Sequence, residues 1–249
     1  MKGIIAAGGE GTRLRPLTTA TNKHLLSVYD KPVIYYAINK LVAAGIDEIM
    51  IVTNPHHIND YVKLLGSGQD FISINTGHQI QIVYGIQNEP LGIGHNLAMA
   101  RGFIGGDSCV FYLGDNIFED DLKPHVDNFT DGAKVFLKEV SDPERFGVAE
   151  LHDDGKVKGI EEKPENPKSS HAVTGLYIYD NSIVEKTIGQ TLSKRGEYEI
   201  TALNNLYINE GKLDAAILEN EWFDVGTHDS LHEASVFMHK KSKDNTDAK

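Results

Sequence analysis

Short apolar runs alternate along the first half of the chain with longer segments whose apolar positions recur every three or four residues. Gly3 to Ala7 reads as a buried strand. From Pro32 to Ala44 the positions Val33, Ala37, Leu41 and Ala44 share one helical face, and Gly45 ends the helix. Glu48 to Thr53 predicts a second strand and Ile58 to Leu65 a helix stopped by Gly66. Gln79 to Tyr84 predicts a third strand, Gly94 to Ile104 a helix, and Ser108 to Leu113 a fourth strand, apolar nearly throughout. Strand–helix alternation of this kind predicts a parallel, doubly wound α/β sheet, in which ligands sit outside the carboxyl ends of the strands.

The pattern changes after about residue 130. Ala133 to Glu139, Gly147 to Glu150, Val157 to Glu162 and Thr174 to Tyr179 read as strands joined by short turns. Helices follow at Ser182 to Ile188 and Tyr198 to Asn209, then a strand at Leu213 to Leu218 and a last helix from Ser230 to His239. No repeat, low-complexity block or linker separates the halves. The expectation is one domain over 1–238, with halves 1–130 and 131–238 on a continuous sheet. The polar residues 239–249 are expected to fray.

Composition narrows the partners. A formal net charge of −12 repels nucleic acid phosphates and anionic membranes, so neither is an expected partner. An anionic small substrate needs a local positive site that overcomes this background. With one cysteine, Cys109, the chain can form no internal disulfide and no cysteine-rich zinc site, and its apolar neighbours predict a buried thiol. No apolar stretch approaches the ~20 residues of a membrane helix, and the start lacks a signal-peptide core, so a soluble, cytoplasmic protein is expected. His56 and His57 cannot share a helix face, and the histidines read as surface or capping residues.

The most informative segment follows the first strand: Gly8-Gly9-Glu10-Gly11-Thr12-Arg13-Leu14. Glycines let a backbone approach a ligand and point N–H groups at an anion. Thr12 adds a hydroxyl, Arg13 a bidentate cation, and Lys23 a second cation ten residues on, which together suit a triphosphate. The dinucleotide fingerprint is excluded because Leu14 stands where its third glycine belongs, and no P-loop lysine motif is present. A plain glycine turn without a ligand is the alternative.

These residues, with Pro16-Leu17-Thr18, Lys23, Val28 and Lys31-Pro32, resemble the signature of the sugar-phosphate nucleotidylyltransferases, above all their glucose-1-phosphate thymidylyltransferase group. The resemblance runs from residue 3 to about 235. It implies a Rossmann-like doubly wound fold with a mostly parallel, mixed sheet and a sugar-binding lobe, the nucleotide-diphospho-sugar transferase type. It also implies the reaction: dTTP and α-D-glucose 1-phosphate give dTDP-glucose and pyrophosphate. UTP or another triphosphate, or a sensor of the same fold without turnover, stay open as alternatives. By the same resemblance the short form is expected, without the longer relatives' C-terminal extension, and relatives suggest a homotetramer.

The remaining candidates follow chain order. Gln87, and Gly92 in the Pro90-Leu91-Gly92 turn, resemble the family's base-reading pair, an amide being able to offer a paired donor and acceptor to a pyrimidine edge. Asp115 closes the fourth strand in Leu113-Gly114-Asp115-Asn116, and Asp224 lies in Trp222-Phe223-Asp224-Val225-Gly226. Two carboxylates can hold one Mg²⁺ whose other positions take water and phosphate oxygens, and the resemblance assigns them that role; taken alone, each aspartate also suits a turn or cap. Glu162 and Lys163 end a strand of the second half, and the resemblance places them at the sugar 1-phosphate. It also places Phe146, Gly147 and Val173 along the sugar, and Arg195 on its phosphate. Arg13, Lys23, Lys163 and Arg195 then line one anionic site. The chain departs from the family at Ala6, Ser27, Gly94-His95 and Ala202, and the Gly94-His95 pair bears on base preference.

Overall fold

The computed structural model describes residues 1–247. Strand β1 (Lys2–Ala6) leads through three 3₁₀ turns (Thr12–Leu14, Leu17–Thr19, Lys23–Leu25) to the hairpin β2 (Ser27–Val28) and β3 (Lys31–Pro32). Helix α1 (Val33–Ala43), β4 (Glu48–Thr53), α2 (Ile58–Leu65) and β5 (Gln81–Ile86) follow. Then come α3 (Ile93–Met99), α4 (Arg101–Ile104), β6 (Cys109–Leu113), β7 (Asn116–Phe118) and α5 (Lys123–Asp127). The second half holds β8 (Ala133–Glu139), β9 (Gly147–Leu151), β10 (Val157–Glu162) and β11 (His171–Tyr179). Helices α6 (Ile183–Ile188) and α7 (Ile200–Asn209), strands β12 (Leu213–Ile217) and β13 (Trp222–Asp224), and helix α8 (His228–Asp247) complete it.

Both halves contribute to one nine-stranded sheet. Its main path runs β10-β9-β11-β6-β1-β4-β5, and β8 joins β11 to β12. The strands of the first half pair in parallel, β5 with β4, β4 with β1 and β1 with β6. β11 pairs antiparallel with β6, β8 and β9, and β9 with β10, while β12 pairs parallel with β8, so the sheet is mixed rather than mostly parallel and its antiparallel pairings gather around β11. β1 and β6 show why the sheet is buried on both sides. Ile5, Val110 and Tyr112 pack toward α1 and α2, while Ile4, Cys109 and Phe111 pack toward α3, α6 and α7. Each such side chain stabilises the fold by roughly 1.5–3 kcal/mol, which only a strand covered on both faces can collect at every position.

Three sequence expectations change. The helix expected over 94–104 is two helices meeting at Ala100, the second being one turn limited by Gly102 and Gly105. The last helix begins at His228 and runs to Asp247, so the segment expected to fray from 239 is helical as far as it is described. Val225, Ala234 and Met238 seat α8 against Val28 and Val33, and Lys241 forms an ion pair with Glu119. A small sheet also escaped prediction: β7 pairs antiparallel with β13, Asn116 opposite Asp224. Cys109 is buried as expected, and burial pushes its thiol far up. No helix among the described residues is long and apolar enough to cross a membrane.

Candidate active site

The carboxyl ends of β1 and β6 open onto a cavity of about 720 Å³ between the halves. Gly9, Gly11, Thr12, Arg13, Lys23 and Asp115 line it from the first half. Phe146, Gly147, Glu162, Lys163, Val173 and Asp224 line it from the second. A smaller adjoining cavity of about 210 Å³ is lined by Gly8, Gln87 and Gly92 among others. The sequence candidates thus meet at one cleft. Arg195 is the exception: it does not line the cavity but stands at its edge, paired with Glu162 at 3.4 Å, Glu197 at 3.2 Å and Glu199 at 3.5 Å.

Each glycine of the first loop makes room for a working side chain. A Cβ on Gly8 would lie 2.7 Å from Gln87 Oε1, one on Gly9 3.0 Å from Lys23 Cε, and one on Gly11 2.8 Å from Lys23 Cβ. Gly11 also has φ 62°, where other residues are strained. The loop carbonyls are spent internally. Gly8 O accepts from Asn54 Nδ2 at 3.2 Å, Gly9 O from Asn22 Nδ2 at 3.4 Å, and Gly11 O from Thr18 Oγ1 at 2.7 Å. Among the described residues none accepts from the N–H groups of Gly8 to Gly11, which is the condition an anion cradle needs.

Lys23 forms an ion pair with Asp115, which is only 7% exposed. Burial acts to raise the Asp115 pKa, but Lys23 and the Asn116 amide outweigh it and hold the carboxyl below its ordinary range. Asp224 moves the other way: burial raises it first and the Asp115 charge adds to that, to about 6. Asn116 joins the two, its Nδ2 standing 3.0 Å from Asp115 Oδ1 and 3.5 Å from Asp224 Oδ1. Its Oδ1 accepts from Gly175 N at 3.1 Å and Trp222 Nε1 at 2.7 Å, so the amide is fixed at both ends.

This donor set fits Mg²⁺. Two carboxylates crowd one polar wall and repel each other, and a divalent cation relieves that repulsion. No third His, Cys, Asp or Glu joins them among the described residues, which suits an ion that keeps water and phosphate oxygens as its other ligands.

On the wall from the second half, Glu162 Oε2 accepts from Thr201 Oγ1 at 2.6 Å. Lys163 has φ 46°, a strained backbone that costs on the order of 1 kcal/mol and that turns the chain at the end of β10. Neither Arg13 nor Lys163 makes an ion pair among the described residues, whereas most other cations of this acidic chain do. The Arg13 guanidinium lies against Gly226, whose added Cβ would be 2.7 Å from Nη2.

The walls of the cleft are tied together. Tyr198 N donates to Leu91 O at 2.7 Å and Gly94 N to Tyr198 O at 2.8 Å, so the loop before α3 is hydrogen-bonded to the loop before α7.

Sequence reasoning missed Asn116, Thr201 and His24. Asn116 had a signal, its place beside Asp115 at a strand end. Thr201 had none, because its contact with Glu162 spans 39 positions. His24 corrects the reading of the histidines as surface or capping residues: it is 2% exposed, Asn22 is the residue that caps its turn, and its ring bonds Asn22 Oδ1 at 2.5 Å. Burial first, and then the Lys23 charge, lowers its pKa from the ordinary 6.5 to about 3.

Known proteins resemble this chain along nearly its whole length. A family profile described as nucleotidyl transferase matches residues 2–241. The chain is 46% identical over 245 residues to a glucose-1-phosphate thymidylyltransferase of Neisseria meningitidis, covering 96% of this chain and 82% of the relative. A Mycobacterium tuberculosis protein of the same name is 42% identical over 243 residues, with 96% and 82% covered. Among solved structures, a Bacillus anthracis protein assigned as a glucose-1-phosphate thymidylyltransferase, in complex with sucrose, superimposes with a TM-score of 0.88 at 47% identity, covering 95% and 94% of the two chains. A UDP-glucose pyrophosphorylase bound to UDP-glucose superimposes with a TM-score of 0.83 at 25% identity, covering 96% and 98%.

Proposed function

The chain belongs to the nucleotidyl transferase family, and from that premise we propose that it makes dTDP-glucose and pyrophosphate from dTTP and α-D-glucose 1-phosphate. One observation carries the reading: the unpaired cations Arg13 and Lys163 face one cavity from opposite halves, with Lys23, Asp115 and Asp224 between them. A triphosphate and a sugar phosphate need such an arrangement, because both are anionic and must be brought close on a chain of net charge −12.

In this reading the glycine loop, Thr12 and Arg13 hold the β- and γ-phosphates. Gln87 and Gly92 take the base. Lys163 holds the sugar phosphate, with Arg195 acting on it through Glu162, and Phe146, Gly147 and Val173 contact the sugar. An anionic oxygen of the sugar phosphate attacks the α-phosphorus, the bond from that phosphorus to the bridging oxygen breaks, and the electron pair leaves with pyrophosphate. The nucleophile is already ionised and needs no general base. Lys23 and Arg13 stabilise charge on the phosphoryl and leaving oxygens, so catalysis is positioning and electrostatics. Asp115 and Asp224 would hold Mg²⁺, which neutralises phosphate charge when bound. The same reading places the protein in the cytoplasm as a homotetramer, which light scattering tests.

The experiment is pyrophosphate release with Mg²⁺, glucose 1-phosphate and either dTTP or UTP. Release that needs both substrates, is faster with dTTP and is lost in Asp115→Ala is the expected result. Faster turnover with UTP reassigns the nucleotide. No release with either, while nucleotide still binds, sinks the enzyme reading.

A further inference from the structure

Two buried amides meet at the nucleoside end of the cleft, and both have spent their nitrogens on one carbonyl. Gln87 and Asn96 are each 6% exposed, and both line the smaller cavity beside Gly8. Gly92 O receives Gln87 Nε2 at 3.3 Å and Asn96 Nδ2 at 3.3 Å. A carbonyl can only accept, so this contact fixes which end of each amide is nitrogen. The second proton of Gln87 Nε2 points to His95 Nδ1 at 3.1 Å. That nitrogen can accept only when the ring carries its proton on Nε2. The ring itself is held against Tyr198, centroids 5.8 Å apart.

The oxygens are what remain. Gln87 Oε1 and Asn96 Oδ1 stand 2.7 and 3.9 Å from where a Cβ on Gly8 would be, on the same bare face of the loop. Asn96 Oδ1 is buried without a hydrogen-bond partner. A buried acceptor left unpaired is costly, and a ligand N–H would satisfy it. The paired donor and acceptor expected of Gln87 from sequence is therefore reduced to its acceptor half.

We propose that His95 is a specificity-determining residue that locks the Gln87 amide with its oxygen toward the base, selecting pyrimidines that present a ring N–H over cytosine. Thymine and uracil carry a proton on N3 and can donate it to Gln87 Oε1. Cytosine presents a lone pair at N3, which would face an oxygen lone pair. Without an acceptor at position 95 the nitrogen is held only by Gly92 O, at 3.3 Å and shared with Asn96 Nδ2, so the amide turns over more readily to offer Nε2 to cytosine, and the discrimination falls. His95 acts through Gln87 and touches no reacting atom, so it is a positioning residue. The inference rests on the nucleotide-binding part of the proposed function.

The test uses the intact chain and binding as well as turnover. Calorimetry with dTTP and with dCTP is run on the wild type, His95→Phe and His95→Asn, beside pyrophosphate release with glucose 1-phosphate. Phenylalanine keeps a ring against Tyr198 but removes the acceptor; asparagine restores an oxygen near the place of Nδ1. The expected result is a dTTP preference in the wild type that falls by about tenfold or more in His95→Phe and is recovered in His95→Asn. A folded His95→Phe that keeps the wild-type ratio overturns the inference, as does a wild type that does not prefer dTTP; turnover with dTTP in either case leaves the enzyme reading standing. Loss of preference in His95→Phe together with absent turnover in the wild type supports the inference and removes the enzyme reading instead.

Discussion

The backbone N–H of Gly175 donates to Asn116 Oδ1 at 3.1 Å, and a Cβ on Gly175 would lie 2.5 Å from that same oxygen. The glycine is therefore needed for Asn116 to hold Asp115 and Asp224 together. Gly175→Ala is expected to displace the amide and lower kcat by about a hundredfold, the usual effect of misplacing a catalytic group by an ångström. Circular dichroism checks that the fold survives, and steady-state kinetics reads the loss.

Asp224 is raised to about 6, so its ionisation opposes folding. The sign follows from proton counting: the folded state holds the proton more tightly, and stability is lost as pH rises from about 4 through about 6. Asp224→Asn removes that cost. At pH 8 without Mg²⁺ it should be more stable than the wild type by about 1–3 kcal/mol, and saturating Mg²⁺ should shrink or reverse the difference. Urea denaturation with and without Mg²⁺ measures it, and a variant less stable than wild type in both conditions contradicts the repulsion argument.

His24 provides the opposite limb. A buried neutral imidazole, lowered to about 3, must take a proton on unfolding in acid. The unfolded state binds more protons below about 6.5, so stability falls as pH drops from there toward 3, by up to about 1.4 kcal/mol per pH unit. His24→Gln keeps a polar group beside Asn22 without that titration. Relative to the wild type, its stability should rise as pH falls from 6.5 to 4, because the loss that His24 contributes is gone while that of Asp224 is common to both; a difference that does not change with pH contradicts the assignment.

Lys163 and Arg195 should separate in kinetics. Lys163 lines the cavity without an ion partner, while Arg195 is already held by three glutamates. Lys163→Met is expected to lower kcat/KM for glucose 1-phosphate by roughly 10²–10³, the order seen when a charged transition-state partner is lost. Arg195→Ala should act mainly on KM, by about tenfold, because it frees Glu162 without removing a direct contact.

The repeating apolar pattern made most elements legible, and β4, α2, β8 and β10 fall on their expected residues. Strands and helices written by local periodicity can be read locally. β7 and β13 could not be, since a three-residue strand has no period and gains its shape from a partner 106 positions away. The same division holds in the site. Arg13, Lys23, Asp115 and Asp224 sit in local motifs, whereas Thr201, His24 and the orientation of Gln87 depend on contacts made only once the sheet has closed. The place of Arg195 rests on resemblance, and of the glutamates that draw it to the edge Glu197 and Glu199 share its loop while Glu162 ends β10, 33 positions away.

The two backbone hydrogen bonds at Tyr198 have a practical corollary for engineering. Leu91 and Gly94 are stitched to it, so the loop proposed to take the base inherits its shape from the far wall. Transplanting residues 87–96 from a relative of different nucleotide preference would carry the letters without the template. A graft that also moves the segment around 190–200 transfers the whole seam, and should change preference at far less loss of turnover than the loop alone.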